Sequence, residues 1–245
     1  MFKFYKKEMY DGEIGRKRIV VEERKGYDVE QSREEKIRGV IEQYKGSKAI
    51  TEVESNNIGG KYLIEERKID ISKIELSGDI RYIEEESSIG SGKYNRIGIM
   101  SIARDKGGDI KASQVIYLDK EGKRRKDIEV SKRTKGVLKG SYVELTKNKE
   151  AKEVYIAEGI ETALSIASVE REARVICSLG VVNMRNIELN NISGIVNKNK
   201  NIIICADNDG ENAGSISSIE EGIKKFKDQG VSCVCNEARC SRAGF

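Results

Sequence analysis

The sequence predicts an α/β protein with a parallel sheet flanked by helices, preceded by an antiparallel β-rich segment and a charged N-terminal region. Three observations predict this class. After Lys152, short apolar runs alternate with helical patterns, which is typical of parallel sheets. Residues 97–146 contain β-branched runs separated by glycine turns, as antiparallel strands do. The first 45 residues mix charges of both signs with few apolar positions.

The chain divides into four predicted parts. Residues 1–60 are the charged N-terminal region, which we expect to be helical or partly disordered. Residues 61–150 are an accessory segment with a short helix, a strand at 79–83 and a β-meander that turns at 105–108 and 119–122. Residues 151–235 form the α/β domain, and residues 236–245 are an atypical tail.

Four apolar runs predict the strands of the α/β domain: 154–157, 175–179, 201–206 and 231–235. Helical patterns at 160–168 and 213–229 lie between them, and the second has apolar residues at helical spacing: Ile216, Ile219, Ile223 and Phe226. Strands that are apolar throughout are typical of sheets covered on both faces. We therefore expect helices on both faces of a parallel sheet.

The composition excludes several kinds of active site. The 245 residues, 38% hydrophobic and 35% charged, suffice for one or two domains with a real core. The sequence contains no histidine, which excludes a Ser-His-Asp triad and an HExxH zinc site. Acid/base and metal chemistry must therefore come from carboxylates, lysine, tyrosine or cysteine.

Charge and cysteine content indicate the setting. The 45 Lys and Arg against 41 Asp and Glu leave +4, which allows a nucleic-acid partner through local patches but does not require one. Five cysteines do not make a disulfide framework, so we expect buried or idle thiols in a reducing compartment. Because no stretch approaches the ~18 apolar residues of a spanning helix, we expect a cytoplasmic protein without membrane contact.

Acidic residues follow two of the four predicted strands. Glu158 and Gly159 come directly after the first strand, and Asp207, Asp209 and Gly210 come after the third. If these strands are neighbours, three carboxylates face one crevice, and oxygen ligands of this kind favour Mg²⁺ or Mn²⁺. Each group alone fits a turn, a helix cap or a complement to a helix dipole. The pairing of the two groups favours a metal site.

A basic run lies in the predicted meander. Between Lys120 and Lys139 there are nine Lys and Arg against three acids. Such a density can follow a phosphate backbone once the strands lie side by side. The alternative is a sheet edge protected by lysines. The residues themselves leave both interpretations open.

Two segments resemble a known family. Ala157-Glu-Gly-Ile-Glu-Thr-Ala-Leu-Ser165 and, further along, Cys205-Ala-Asp-Asn-Asp-Gly-Glu-Asn-Ala-Gly214 resemble the two signature motifs of the Toprim domain. Within that superfamily the sequence is most similar to the primase-like Toprim region of phage, plasmid and conjugative-element proteins. The resemblance extends over roughly residues 62–235 and implies a Toprim-type sheet.

The resemblance implies roles for individual residues. Glu158 matches the glutamate that works as a general acid/base and binds metal, and Asp207 and Asp209 match the pair that holds Mg²⁺. Gly159 and Gly210 match positions where a side chain would crowd the metal or a phosphate. The resemblance also implies four template or nucleotide contacts: Lys123, Arg124, Arg125 and Lys126.

The implied activity is that of a DNA-primase-like nucleotidyltransferase: Mg²⁺-dependent or Mn²⁺-dependent transfer on single-stranded DNA or RNA, in the replication or conjugative transfer of a mobile element. The implied partners are nucleotides, single-stranded nucleic acid, and a separate helicase or larger mobile-element machinery. The chain departs from the family in having no zinc ribbon, no Walker loop and an unfamiliar end. A Toprim nuclease and a truncated, non-catalytic nucleic-acid-binding module therefore remain as alternatives.

Overall fold

The N-terminal region contains a hairpin and one long helix. The structure, a computed structural model, describes residues 5–10, 17–22, 29–52, 57–89, 92–192, 195, 200–206, 213–229 and 232–235. Strands β1 (Tyr5–Tyr10) and β2 (Lys17–Glu22) pair antiparallel, and helix α1 spans Val29–Lys45. Most of α1 is exposed, but Val40 is fully buried. The helix therefore covers one face of the sheet that follows.

That sheet is antiparallel and has five strands in the order β3-β4-β5-β6-β7. Its strands are β3 (Lys48–Ala49), β4 (Ile80–Ile89), β5 (Gly92–Arg104), β6 (Ile110–Leu118) and β7 (Lys132–Gly136). Between β3 and β4 lie helix α2 (Ile58–Lys61) and one π-helical turn (Tyr62–Glu66). The predicted meander strands are confirmed, and β5 begins earlier than predicted because its pairing with β4 continues to Ile89 opposite Gly92.

The two predicted turns of the meander are built by aspartate side chains. Asp105 Oδ1 accepts hydrogen bonds from the backbone N–H of Gly107 and Asp109, and Asp119 Oδ1 accepts from two N–H groups in the same way. In the second turn Gly122 has φ +80°, and a Cβ there would lie 3.0 Å from the Cβ of Lys61. The turn after β6 therefore packs closely against α2.

The second five-stranded sheet has the order β12-β11-β9-β10-β8. Its strands are β8 (Val143–Glu144), β9 (Glu153–Ala157), β10 (Arg174–Cys177), β11 (Asn201–Cys205) and β12 (Ser232–Cys235). Four are parallel, as predicted. The sequence placed residues 143–144 in the meander, but they add an antiparallel edge strand to this sheet, where Glu144 forms an ion pair with the buried Arg174.

Helices lie on both faces of the mixed sheet, as predicted. They are α3 (Ile160–Val169), α4 (Val181–Met184) and α5 (Ala213–Asp228). Tyr155 and Ala157 of β9 share a core with α3 and with the antiparallel sheet. Val154 and Ile156 point to the other face, into a core with Phe226 of α5. This alternation follows from the two-residue period of a strand.

The antiparallel sheet is also covered on both faces. A third core joins its outer face to α1 through Val40, Ile83 and Met100. Its inner face packs on the mixed-sheet domain through residues such as Ile99 and Ile116. Across the described residues, no helix has the length and apolar character needed to cross a membrane.

Candidate functional site

The ends of two neighbouring parallel strands form the candidate site. Strands β9 and β11 pair in register, with Ala157 opposite Cys205 in the last pair. The backbone N–H of Glu158 donates a 3.0 Å hydrogen bond to the carbonyl of Cys205. The condition for a shared crevice, that these two strands are neighbours, is therefore met. The carboxylate of the first motif therefore follows a strand that lies beside the one leading to the second motif.

Three predicted site residues, Asp207, Asp209 and Gly210, lie outside the described residues. Ala206, which precedes Asp207 in the chain, is buried at 4% exposure. Within the part of the chain that the structure describes, no three His, Cys, Asp or Glu side chains group as a metal site. The meeting of three carboxylates therefore stays a prediction.

Glu158 fits a ligand of a divalent ion by its chemistry and its place. It is half-buried at the carboxyl end of β9, where the loops of a parallel sheet converge, and a carboxylate is the donor that Mg²⁺ and Mn²⁺ prefer. Gly159 is buried and has extended backbone (φ −102°, ψ 151°), which any residue can adopt. The backbone conformation therefore does not explain the glycine at position 159. The predicted explanation, that a side chain here would crowd a bound metal or phosphate, stays a prediction.

A cavity of about 650 Å³ opens beside Glu158. The residues that line it include four apolar ones, Leu138, Leu179, Val181 and Val182, and two cationic ones, Lys139 and Arg185. Val182 is 57% exposed, although it is a large apolar residue. The Arg185 guanidinium forms a 3.0 Å ion pair with Glu221 of α5. The size and the combination of apolar with cationic lining residues suit a nucleotide-sized ligand.

The walls of this cavity are tied together by one buried amide. Asn183 Oδ1 accepts a 2.9 Å hydrogen bond from the N–H of Gly140. Its Nδ2 donates 2.8 Å bonds to the carbonyls of Ser141 and Ser178. Leu179 has φ +59°, and its carbonyl accepts a 3.2 Å bond from Gln114. A positive φ is strained for a leucine, and this backbone conformation persists only where the surrounding contacts stabilise it. The residue type at this position does not predict it.

A second group of charged side chains lies at the first turn of α3. Glu161, with 8% exposure, accepts a hydrogen bond from the hydroxyl of the buried Tyr62. Arg124 Nη2 donates to both of its carboxylate oxygens, over 2.7 and 2.8 Å, and Arg67 Nε lies 3.2 Å from Oε1. This carboxylate joins the accessory segment to the α/β domain. The contacts of Glu161 could not be predicted from the sequence, because its partners are distant in the chain.

The electrostatics of this group favour an ionised Glu161. Burial opposes the charged form, but the hydrogen bond from Tyr62 and the charges of Arg124, Arg67 and Lys132 outweigh it, so the pKa of Glu161 lies below its ordinary value. Burial first, and then the neighbouring carboxylate, raise the pKa of Tyr62. Tyr62 is therefore a neutral hydrogen-bond donor at physiological pH.

The four basic residues predicted to contact nucleic acid have different surroundings. Arg124 bonds to Glu161, whereas Arg125 Nε donates a 2.9 Å bond to Asp127. Lys123 and Lys126 are exposed. Arg125 also lines a separate cavity of about 370 Å³ with Tyr117, whose side chain belongs to the core under α1. Arg124 is thus bonded to the α/β domain, and contact of the run with nucleic acid stays a prediction.

Comparison with known proteins identifies a family for part of the chain. Residues 153–242 match the model of the Toprim domain. No curated protein matches the chain by sequence. Among solved structures, the chain is similar to the primase fragment of the bacteriophage T7 primase-helicase protein, with 14% identity and a TM-score of 0.45. That similarity covers 71% of this chain and spans 64% of the fragment.

The family match includes the strand order and the two acidic motifs described above. Its bounds begin at the first residue of β9 and extend beyond β12. The fold of these residues is the mixed α/β arrangement with helices on both faces that the sequence predicted. The match to the Toprim domain therefore falls on residues 153–242, the α/β part of this chain.

Proposed function

We propose that this chain is a primase-like Toprim protein that catalyses nucleotidyl transfer on single-stranded nucleic acid with Mg²⁺ or Mn²⁺. We place this activity in the replication or transfer of a mobile element, with nucleotides and a DNA or RNA template as substrates. The observation that carries the proposal is the position of Glu158. It stands at the end of β9, hydrogen-bonded through its backbone to the last residue of β11.

The sequence after β11 supports a shared acidic site. Asp207 and Asp209 are the second and fourth residues after Cys205 in the chain, and the carboxyl ends of parallel strands meet at one edge of a sheet. A divalent ion held by Glu158, Asp207 and Asp209 would neutralise the negative charge that develops on a transferred phosphoryl group. The oxygen-only donor set suits this ion.

Glu158 also has the chemistry of a general base. Its carboxylate oxygens can accept the proton of the attacking hydroxyl, which primes that oxygen for in-line displacement at phosphorus. The adjoining cavity supports a position for the incoming nucleotide, with its base on Leu179 and Val182 and its phosphates toward Lys139. Strained backbone at Leu179, held by Gln114, would keep this part of the cavity lining in place.

Nucleotide incorporation tests the proposal. Purified protein is incubated with a single-stranded template, labelled nucleotides and Mg²⁺, and short oligomers are expected. Glu158→Gln should lower their rate by about 10²–10⁴-fold, the usual contribution of a positioned acid/base group. Glu153→Gln is the matched control, because Glu153 is a half-buried glutamate at the opposite end of the same strand. Its activity should stay within a factor of about two to three of the parent protein, as for a substitution away from the site.

Each alternative outcome has its own meaning. Oligomer synthesis that is unaffected by Glu158→Gln contradicts the role of Glu158. Cleavage of the template without synthesis identifies a nuclease. Neither reaction, together with Mg²⁺ binding by calorimetry, identifies a non-catalytic nucleic-acid-binding module.

A further inference from the structure

One buried carboxylate holds two guanidinium groups next to the proposed active site. Arg67 follows the π-helical turn, Arg124 follows the turn after β6, and Glu161 begins α3, so three separate segments meet here. The side-chain exposure is 10% for Glu161, 38% for Arg67 and 40% for Arg124. The carboxylate is therefore inside, and the guanidinium groups reach the surface.

Each guanidinium keeps donors that the carboxylate does not use. An arginine has five N–H donors on three nitrogens. Arg124 bonds to Glu161 through Nη2, and Arg67 approaches it through Nε. Among the described residues, no hydrogen bond is donated by Nε or Nη1 of Arg124 or by either Nη atom of Arg67. These donors have the fork geometry that matches phosphate oxygens.

The charge of the group is positive. Two guanidinium groups and the Lys132 ammonium act on one carboxylate, while Tyr62 is neutral. The carboxylate therefore cannot neutralise its neighbours. An anionic ligand of the exposed donors would complete the charge balance.

The group lies beside the end of β9. Glu161 is three residues after Glu158, in the first turn of the helix that begins there. A phosphate bound by Arg67 and Arg124 would thus lie close to the strand ends where we propose catalysis. A single-stranded nucleic acid has phosphates at a spacing that can fill such a position while its bases remain unpaired.

We infer that Glu161, together with Tyr62, is a positioning residue that presents the guanidinium groups of Arg67 and Arg124 to one phosphate group of a single-stranded nucleic acid. The inference rests on the proposed function, because it names a phosphate position on the same substrate. Glu161 itself does not touch the phosphate. It orients both arginines in advance, which lowers the entropy that their long side chains lose on binding.

The direction of the affinity change in Glu161→Gln distinguishes a positioning role of Glu161 from an effect of net charge alone. Removing a negative charge near a phosphate site strengthens binding if only net charge matters. If Glu161 positions the arginines, Glu161→Gln weakens binding instead, because the guanidinium groups lose their fixed orientation. A purely structural residue would change stability without changing the affinity of the folded protein.

The experiment is a salt titration of oligonucleotide binding. Fluorescence anisotropy measures the affinity of the full chain for a labelled oligo-dT at several salt concentrations. Arg124→Gln and Arg67→Gln should each lower affinity about tenfold and reduce the slope of log K against log salt by about 0.7, the loss of one phosphate contact. Arg171→Gln is the matched control, since Arg171 is exposed beyond the other end of α3.

Two variants test the role of Glu161, so that the test does not depend on the folding of one variant alone. Glu161→Gln should lower affinity about threefold to tenfold, in line with one lost charge-assisted interaction. Tyr62→Phe keeps the carboxylate and its charge, and should lower affinity by a smaller factor with an unchanged salt slope. Thermal melts establish that each variant is folded at the assay temperature. If Glu161→Gln does not fold, Tyr62→Phe alone decides.

Several results would overturn the inference. These are affinity that rises or stays constant in Glu161→Gln, an unchanged salt slope in both arginine variants, or no oligonucleotide binding by the parent protein. Glu158→Gln separates this inference from the proposed function, because it should lower nucleotide incorporation by about 10²–10⁴-fold and leave the salt slope unchanged. A parent protein that binds through these arginines but transfers no nucleotide refutes the proposed activity and keeps the phosphate position.

Discussion

The two five-stranded sheets keep their charged residues in different places. In the mixed sheet, Val154 to Ala157 are buried and the charge stands just after the strand, at Glu158. In the antiparallel sheet, charged residues also stand within the inner strands, such as Arg81 of β4 and Arg104 of β5, and on the edge strand β7. Both sheets are covered on both faces, and the strands of the mixed sheet carry three charged residues, Glu144, Glu153 and Arg174.

The difference determines what each sheet offers to a ligand. Parallel strands bring their carboxyl ends to one edge, so acids that are distant in sequence converge at a single place. Antiparallel strands send successive turns to opposite edges, and neighbouring basic residues reach different surfaces. The bonds from Arg124 to Glu161 and from Arg125 to Asp127 illustrate the second case.

The largest expected effect tests whether the residues after β9 and β11 of the mixed sheet catalyse the reaction. Asp207→Asn should lower nucleotide incorporation by about 10³-fold, as expected for loss of a charged group that acts only in the transition state. The double variant with Glu158→Gln should be little worse than either single variant, because residues that act as a unit are not additive. Rates from the same incorporation assay decide. Additive losses would mean that the two residues serve separate sites.

A second prediction concerns the one charge buried inside the mixed sheet. Arg174 is 1% exposed and forms an ion pair with Glu144 across β10 and β8. Arg174→Ala should lower the free energy of unfolding by about 3–5 kcal/mol, since it leaves a carboxylate without its partner. Urea unfolding measures this, and Arg171→Ala should stay within about 0.5 kcal/mol of the parent protein. Equal effects of the two substitutions would contradict a structural role for the pair.

The third prediction concerns the pH dependence of the stability that Glu161 contributes between the two sheets. The pKa of Glu161 in the folded protein lies below its ordinary value of 4.5, so the stability it contributes is present above that pH and is lost as the pH falls. Glu161→Gln should therefore cost about 1.5–3 kcal/mol at pH 7 and less at pH 3. Urea unfolding at the two pH values tests this. A cost that is the same at both would contradict an ionised, hydrogen-bonded Glu161.

The smallest expected effect compares neighbours in the basic run. Arg125→Gln should weaken oligonucleotide binding by a factor of about two to three, which is less than the loss in Arg124→Gln, because the Arg125 side chain is 17% exposed and bonded to Asp127. Anisotropy titrations at one salt concentration are sufficient. Equal losses would indicate that nucleic acid follows the whole run of residues 123–126 and contacts both faces of the sheet.

Much of the fold could be predicted because its signals are local. Strand β6 was predicted at its observed bounds, and α3 and α5 agree with the predicted helices to within one residue at each end. Apolar periodicity and aspartate-glycine turns fix these elements within a few residues of chain. The pair Val143–Glu144 was misplaced, because a two-residue strand has no period to detect.

The site could be predicted only where it depends on strand order. Glu158 could be predicted as a site residue because it follows a buried strand within a recognisable motif, and its role stays a prediction. The partnership of Tyr62 with Glu161 could not, since the two residues are 99 positions apart and meet only when the two sheets pack together. Leu179 is a further example, because its left-handed backbone follows from contacts with Gln114 rather than from its own residue type.

The close packing of Gly122 on α2 has a consequence for how this molecule can change in evolution. The turn from Asp119 to Gly122 sets the distance between Arg124 and the carboxylate of Glu161. Adding one residue there would shift the guanidinium without altering any acidic side chain. Insertions should therefore be accepted in the turn at 105–108 and rejected in this one, so that relatives vary in loop length on one side of the meander and not on the other.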